Sequence, residues 1–163
     1  MKKYLIRTLV YLFLFLNISI ANAASSDAHA LCVAMVDGLK PDHIKESPNE
    51  YLIGTDVLCE NDKLVFVYRM NDDSIKLLED MKKTSAKLAN VNEFSELNEG
   101  QLAILKIGMR ARINYDSCQE IISSDDPEML KSFFTRIPII HRIYDRKNKY
   151  LGDIEFDAQE CEI

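Results

Sequence analysis

Beyond the first two dozen residues the apolar positions of this chain alternate between two periods. Ala28, Leu31, Cys32, Met35 and Leu39 recur every three or four residues. That spacing predicts a helix, opened by Ser26 or Asp27 and ended by Gly38 and Pro41. Residues 41–50 are polar and predict a loop. The stretches YLIGTDVL (51–58) and KLVFVYRM (63–70) are rich in β-branched and aromatic residues and flank the turn-forming CENDK. They predict a hairpin, with Leu64, Phe66, Tyr68 and Met70 on one face of the second strand and Val65, Val67 and Arg69 on the other.

The period then returns to that of a helix. Asn71, Asp72 and Asp73 place acidic and capping groups at a helix start, ahead of Ile75, Leu78, Met81 and Leu88. In that helix Glu79 lies within reach of Lys82 and Lys83. Residues 92–98 predict a polar break. Asn98-Glu99-Gly100-Gln101 resembles a capping box. The helix it opens carries Leu102, Leu105, Met109 and Ile113 on one side and continues through Cys118 to Ile122. Ser123 to Pro127 stops that helix and starts a short one, with Pro127 in its first turn and its end near Arg136. A closing hairpin is predicted over 137–144 and 150–158, turning at Arg146-Lys147-Asn148. There Ile154 and Phe156 alternate with Asp153, Glu155 and Asp157, so one face is buried and one is wet. The expected class is α+β: an antiparallel sheet of four to five strands from two hairpins, packed by about four helices and tied by two disulfides. Helix followed by hairpin occurs twice, although the residues themselves do not repeat.

The residues before this pattern name a compartment. Lys2, Lys3 and Arg7 precede an apolar run of 13 residues, Thr8 to Ile20, and Ala21-Asn22-Ala23 has the small-x-small form of a cleavage site. Residues 1–23 therefore read as a secretory signal peptide and 24–163 as a single domain. Cleavage removes three cations and takes the net charge from −6 to −9. So acidic a chain is a poor ligand for nucleic acid or an anionic membrane, and no later apolar run spans a bilayer. The expected location is the periplasm.

An oxidising compartment changes the meaning of the four cysteines, Cys32, Cys59, Cys118 and Cys161. Their even number reads as two disulfides. Their spacing contains no C-x-x-C knuckle of the zinc type. Three pairings are open. The pairing 32–59 with 118–161 is preferred because each bridge then joins neighbouring elements, and the second ties down a terminal strand that otherwise frays.

The search for chemistry gives little. His29 reads as a surface residue beside a disulfide cysteine, His43 as a solvated loop residue after Asp42, and His141 as an exposed strand residue. G-x-S-x-G, H-E-x-x-H, P-loop and G-x-G-x-x-G motifs are all absent, and there is no tryptophan to serve as a sugar platform. No catalytic residue, metal ligand or cofactor is expected. Lys106, Arg110 and Arg112 lie along the long helix. Arg142, Arg146, Lys147 and Lys149, with Arg136 nearby, surround the closing hairpin and are the candidate partner-binding residues in an otherwise acidic chain.

The C-terminal third has a recognisable order. A cysteine at a helix end (Cys118) is followed by a short helix with EMLKSFF, an aromatic strand IIHRIYD, the turn RKNK, the strand YLGDIEF and a final cysteine in QEC. This order resembles small disulfide-tied α+β proteins of the Gram-negative periplasm, and the secretin pilotins of type II secretion systems among them. The resemblance implies a bridge from Cys118 to Cys161. The chain departs from the pattern in three ways: it has no lipid-attachment cysteine at the cleavage site, it has a second cysteine pair, and its hairpin turn lacks a glycine. The function expected is a non-enzymatic periplasmic protein-binding module, such as an envelope-assembly or pilotin-like factor, whose partner is another periplasmic or outer-membrane protein. A toxin-immunity or enzyme-inhibitor protein and a small periplasmic hydrolase are the alternatives.

Overall fold

The computed structural model of the protein describes residues 28–45 and 51–162. The segment read as a signal peptide lies outside them. In chain order the elements are α1 (Ala28–Lys45), β1 (Leu52–Glu60), β2 (Lys63–Met70), α2 (Ser74–Thr84), α3 (Glu99–Ile122), α4 (Pro127–Arg136), β3 (Ile139–Tyr144) and β4 (Tyr150–Phe156). Single 3₁₀ turns occupy Ala86–Leu88, Phe94–Glu96 and Ala158–Glu160. The class is α+β, as the pattern predicts.

The four strands form one sheet in the order β1-β2-β3-β4. Each hairpin is antiparallel, but the hairpins meet through a parallel β2–β3 pair, so the sheet is mixed and not antiparallel throughout. The cause is the connection. Parallel neighbours need a long crossover, and α2, α3 and α4 lie between β2 and β3.

The turns are made without the usual glycines. Asn61 and Asp62 both take positive φ, 51° and 61°, the pair of left-handed residues that matches the twist of a tight hairpin. In the second hairpin Asn148 takes φ 63°. The buried Asp145 carboxylate accepts from the backbone N–H of Lys147 and of Lys149 at 2.8 and 2.7 Å. An Asp that holds its own turn from inside replaces the glycine.

The first helix runs past its expected end. Pro41 sits inside α1, which continues to Lys45. Proline removes one ladder hydrogen bond, and tertiary contacts outweigh that loss. His43 is buried and its Nε2–H donates to the Val67 carbonyl at 2.9 Å. Its ring stands edge-on to Phe66 and Tyr68, at 5.2 and 4.8 Å between centroids. The Val67 carbonyl lies opposite a bulge in β1 between Gly54 and Asp56 and also accepts from the Thr55 hydroxyl at 3.2 Å. Gly54 is where the helix touches the strand. A Cβ there would lie 2.0 Å from the His43 carbonyl oxygen, so only glycine permits the contact.

The start of α3 follows the sequence closely. Asn98 Oδ1 accepts from the Gln101 N–H, and Gln101 Oε1 accepts from the Asn98 N–H, both at 3.0 Å. Asp126 caps α4 through the Met129 N–H at 3.0 Å, with Pro127 in the first turn. The stretch 92–98 is less polar in effect than its composition suggests, because Phe94 and Leu97, with Val91 just before, are buried in the core.

The core fills one side of the sheet. Leu64, Phe66, Tyr68 and Met70 of β2 meet Met35 and Leu39 of α1, Leu105 and Ile121 of α3, and Leu130 and Phe134 of α4. Cys32 on α1 is bonded to Cys59 on β1, and Cys118 on α3 to Cys161 beyond β4. Lys131 of α4 donates to the Cys161 carbonyl at 2.5 Å, so the end of the chain is held by a bond and an ion–dipole contact together.

Candidate functional site

The four basic residues singled out at the closing hairpin separate into two places. Arg142 projects from β3 on the sheet face away from the helices. Its Nε and Nη2 donate to Asp153 on β4, each at 3.0 Å. Its Nη1 and Nη2 donate to Glu60 on β1 at 2.8 and 2.9 Å. Since β2 lies between β3 and β1, the arm to Glu60 must cross it. Arg142 is in register with Val67 and Glu60 with Lys63, so the arm runs diagonally across the stretch of β2 that holds Val65, which is fully buried. The two carboxylates raise the guanidinium pKa further, and the guanidinium holds Asp153 below the usual carboxylate range. Arg142 is a clamp that joins β1, β3 and β4 across all four strands of the sheet.

Arg146, Lys147 and Lys149 lie elsewhere, against the start of α2 and the turn before α3. Arg146 pairs with Asp72 at 2.8 Å and lies 3.8 Å from Glu93. Lys147 pairs with Glu93, and Lys149 donates to the Ser95 carbonyl at 2.6 Å. Lys147, Ser95 and Arg146 together hold Glu93 below the usual range, and Glu93 raises Lys147 in return. These groups border a small depression lined by Ile75, Leu78, Phe94, Glu93, Arg146 and Lys147. Arg146 and Lys147 remain 32% and 65% exposed at the side chain. The result is a depression whose rim alternates cations with the carboxylate of Glu93, beside one exposed apolar side chain, Ile75.

On the long helix the basic residues are also engaged. Arg110 pairs with Glu160 at 2.9 Å and Arg112 with Asp116 at 2.9 Å. The Lys106 side chain lies over Gly152, where a Cβ would sit 2.0 Å from its Cε.

Two of the three histidines are not where the sequence suggests. His43 is not a solvated loop residue, because α1 carries it onto the sheet. His141 is not an exposed strand residue either. It is in register with Phe66, on the helix-covered face, and its ring stacks on those of Phe66 and Tyr68 at 6.0 and 5.6 Å. Its Nδ1 lies 3.3 Å from the Tyr68 hydroxyl. Burial, helped by the neighbouring His43, lowers the His141 pKa to about 4. Burial also lowers that of His43, against the opposing effect of its bond to Val67, and raises that of Tyr68. A signal for His141 was present: it is in phase with Ile139 and Ile143. His29 stays exposed, 3.1 Å from Asp62 and 4.0 Å from Cys59 Sγ. Among the described residues no three His, Cys, Asp or Glu side chains gather as a metal site, and no helix is long and apolar enough to cross a membrane.

No family model and no curated protein matches the chain. Two solved structures are similar to it. One is a Pseudomonas aeruginosa chain described provisionally as a secreted protein, 13% identical, with a TM-score of 0.48, covering 85% of this chain and 100% of that one. The other is the pilotin of the Vibrio vulnificus type 2 secretion system, 9% identical, with a TM-score of 0.45, covering 83% of this chain and 89% of that one. The second is a protein of the class that the C-terminal third of the sequence resembles.

Proposed function

We propose that this chain is a non-enzymatic protein-binding module of the Gram-negative periplasm, an envelope-assembly or pilotin-like factor. In this reading it holds an acidic segment of a periplasmic or outer-membrane partner at its closing hairpin. The observation that carries the reading is the small depression beside β3–β4, where Arg146 and Lys147 share the lining with the exposed Ile75. A partner carboxylate there competes with Glu93 for Lys147, and an adjacent apolar side chain covers the exposed Ile75. Charge supplies orientation and encounter rate, and the apolar contact supplies residence time. The leader-like residues 1–23 and the two disulfides support the compartment.

The test is retention of partners from a periplasmic and outer-membrane extract on the disulfide-intact chain, beside an Arg146→Glu/Lys147→Glu variant. A defined protein held by the parent chain at low salt and lost from the variant is the expected result. No retained protein, or equal retention by both chains, refutes it. The identity of the captured protein separates an assembly factor from an immunity protein.

A further inference from the structure

The buried residues of α1 form one stripe, Cys32, Met35, Leu39 and His43. The first three tie the helix down. Cys32 is bonded to Cys59, and Met35 and Leu39 lie in the core. Lys40 adds an ion pair to Asp56 at 2.7 Å. Pro41 follows. It has no N–H, so the carbonyl four residues back loses its ladder bond, and its ring crowds that carbonyl. Residues 42–45 are therefore joined to the rest of the helix by a weakened ladder. Their own hold on the fold is His43, the one buried side chain of the four.

His43 sits in a socket that suits a neutral imidazole. Gly54 leaves room for it: a Cβ there would lie 2.0 Å from the His43 carbonyl oxygen and 2.8 Å from its Nε2. The Val67 carbonyl accepts the Nε2–H at 2.9 Å, and the Phe66 and Tyr68 rings meet the imidazole edge-on. With a glycine, one carbonyl and two rings for walls, a second proton on the ring finds little to replace the water it loses. The charged and titratable groups that face it change this little. Asp56 on β1 favours the charged ring but is already paired with Lys40. Tyr68 on β2 keeps its proton, because burial and Glu120 on α3 both raise its pKa. His141 on β3, with its pKa lowered to about 4, is uncharged above about pH 5. Burial outweighs Asp56 and the bond to Val67, and lowers the His43 pKa. His43 thus binds a proton more readily when the turn is open than when it is seated, so acid favours the open form.

We propose that the last turn of α1 is an acid-released latch: protonation of His43 frees residues 42–45 from Gly54 and Val67, while the Cys32–Cys59 bond and the apolar stripe hold the rest of the helix in place. Release takes the imidazole off Phe66 and Tyr68 and uncovers part of both rings. The latch uses none of the residues that border the closing-hairpin depression, so it stands apart from the partner site proposed above.

The full chain, expressed in a Gram-negative host and purified with both disulfides closed, is followed by amide hydrogen exchange at about pH 7 and about pH 5, with intrinsic rates corrected for pH. The expected result is a fall in protection of residues 42–45 by about fivefold or more at the lower pH. In the parent chain β2 loses protection as well, because His141 is also buried neutral. Two variants separate the histidines. His43→Gln keeps an N–H donor for Val67 and cannot titrate, so residues 42–45 should hold at both pH values while β2 still falls. In His141→Phe, β2 should hold and residues 42–45 should still fall. Gly54→Ala should release residues 42–45 at either pH. Protection of residues 42–45 that ignores pH in the parent chain overturns the proposal. So does a fall that persists in His43→Gln or vanishes in His141→Phe, since the proton then acts elsewhere. Gly54→Ala as protected as the parent chain at about pH 7 overturns the socket.

Discussion

Replacing Arg142 separates two contributions that the structure combines in one side chain, charge and cover. The side chain is 20% exposed, and its partners Glu60 and Asp153 are 41% and 32% exposed. Pairs this wet are discounted for solvent, to about 1 kcal/mol each even with fork geometry. The register implies that the arm also covers Val65, and returning about half a valine side chain to water in Arg142→Ala costs about 1 kcal/mol. The expected loss for Arg142→Ala is therefore about 3 kcal/mol, a large part of a typical domain's stability. Arg142→Met keeps most of the cover and loses the charge, so it should lose about 2 kcal/mol. Urea unfolding of the three chains at pH 7, with similar m values, measures this. The charge contribution also has a pH signature. Asp153 is held below its ordinary pKa, so its stabilisation is present above that value and fades as pH falls through the lower folded value. The gap between wild type and Arg142→Met should narrow below about pH 4. The reasoning fails if Arg142→Ala is as stable as wild type, or if Met and Ala substitutions are equivalent, since the arm would then cover nothing.

Two further predictions concern stability. Cys118→Ala/Cys161→Ala opens a loop with a sequence separation of 43 and should cost about 4 kcal/mol in the chain-entropy account; a change in the urea-derived free energy below about 1 kcal/mol would show that the staple constrains little. His141, with its folded pKa lowered to about 4, binds its proton more readily when unfolded. Stability is therefore complete above about pH 6.5 and declines by about 1.4 kcal/mol per pH unit down to pH 4. His141→Phe should flatten that slope, and a denaturation series unchanged by the substitution refutes the assignment.

Local rules and distant partners divide what the sequence made legible. The starts of α3 and α4 could be read because capping is local: Asn98 needs only Gln101, and Asp126 only Met129. The hairpins could be read because alternation and turn residues are local as well. The end of α1 could not, because the contact that overrides Pro41 is His43 on Val67, 24 residues away. The parallel seam was illegible for a related reason, since strand order depends on how the crossover packs. The basic hairpin shows the limit most plainly. Its cations are visible in the sequence, but their carboxylates are not assigned to them, with Glu60 82 residues from Arg142 and Glu93 54 residues from Lys147. What read as one basic patch is a clamp on one face and a walled depression elsewhere.

The parallel β2–β3 seam bears on how the chain assembles. Each disulfide closes within one half, across separations of 27 and 43 residues, while Tyr68 and His141, which touch across the seam, are 73 residues apart. Each disulfide can thus close before the two hairpins pair and complete the shared core. Long-range parallel pairing is the slow kind, so docking of the two half-sheets is the expected rate-limiting step. Until it completes, β2 and β3 both present open edges. A crowded compartment then offers two identical ways to close them, with the other half of the same molecule or with that of a neighbour, and strand exchange at the seam is the misassembly this topology invites.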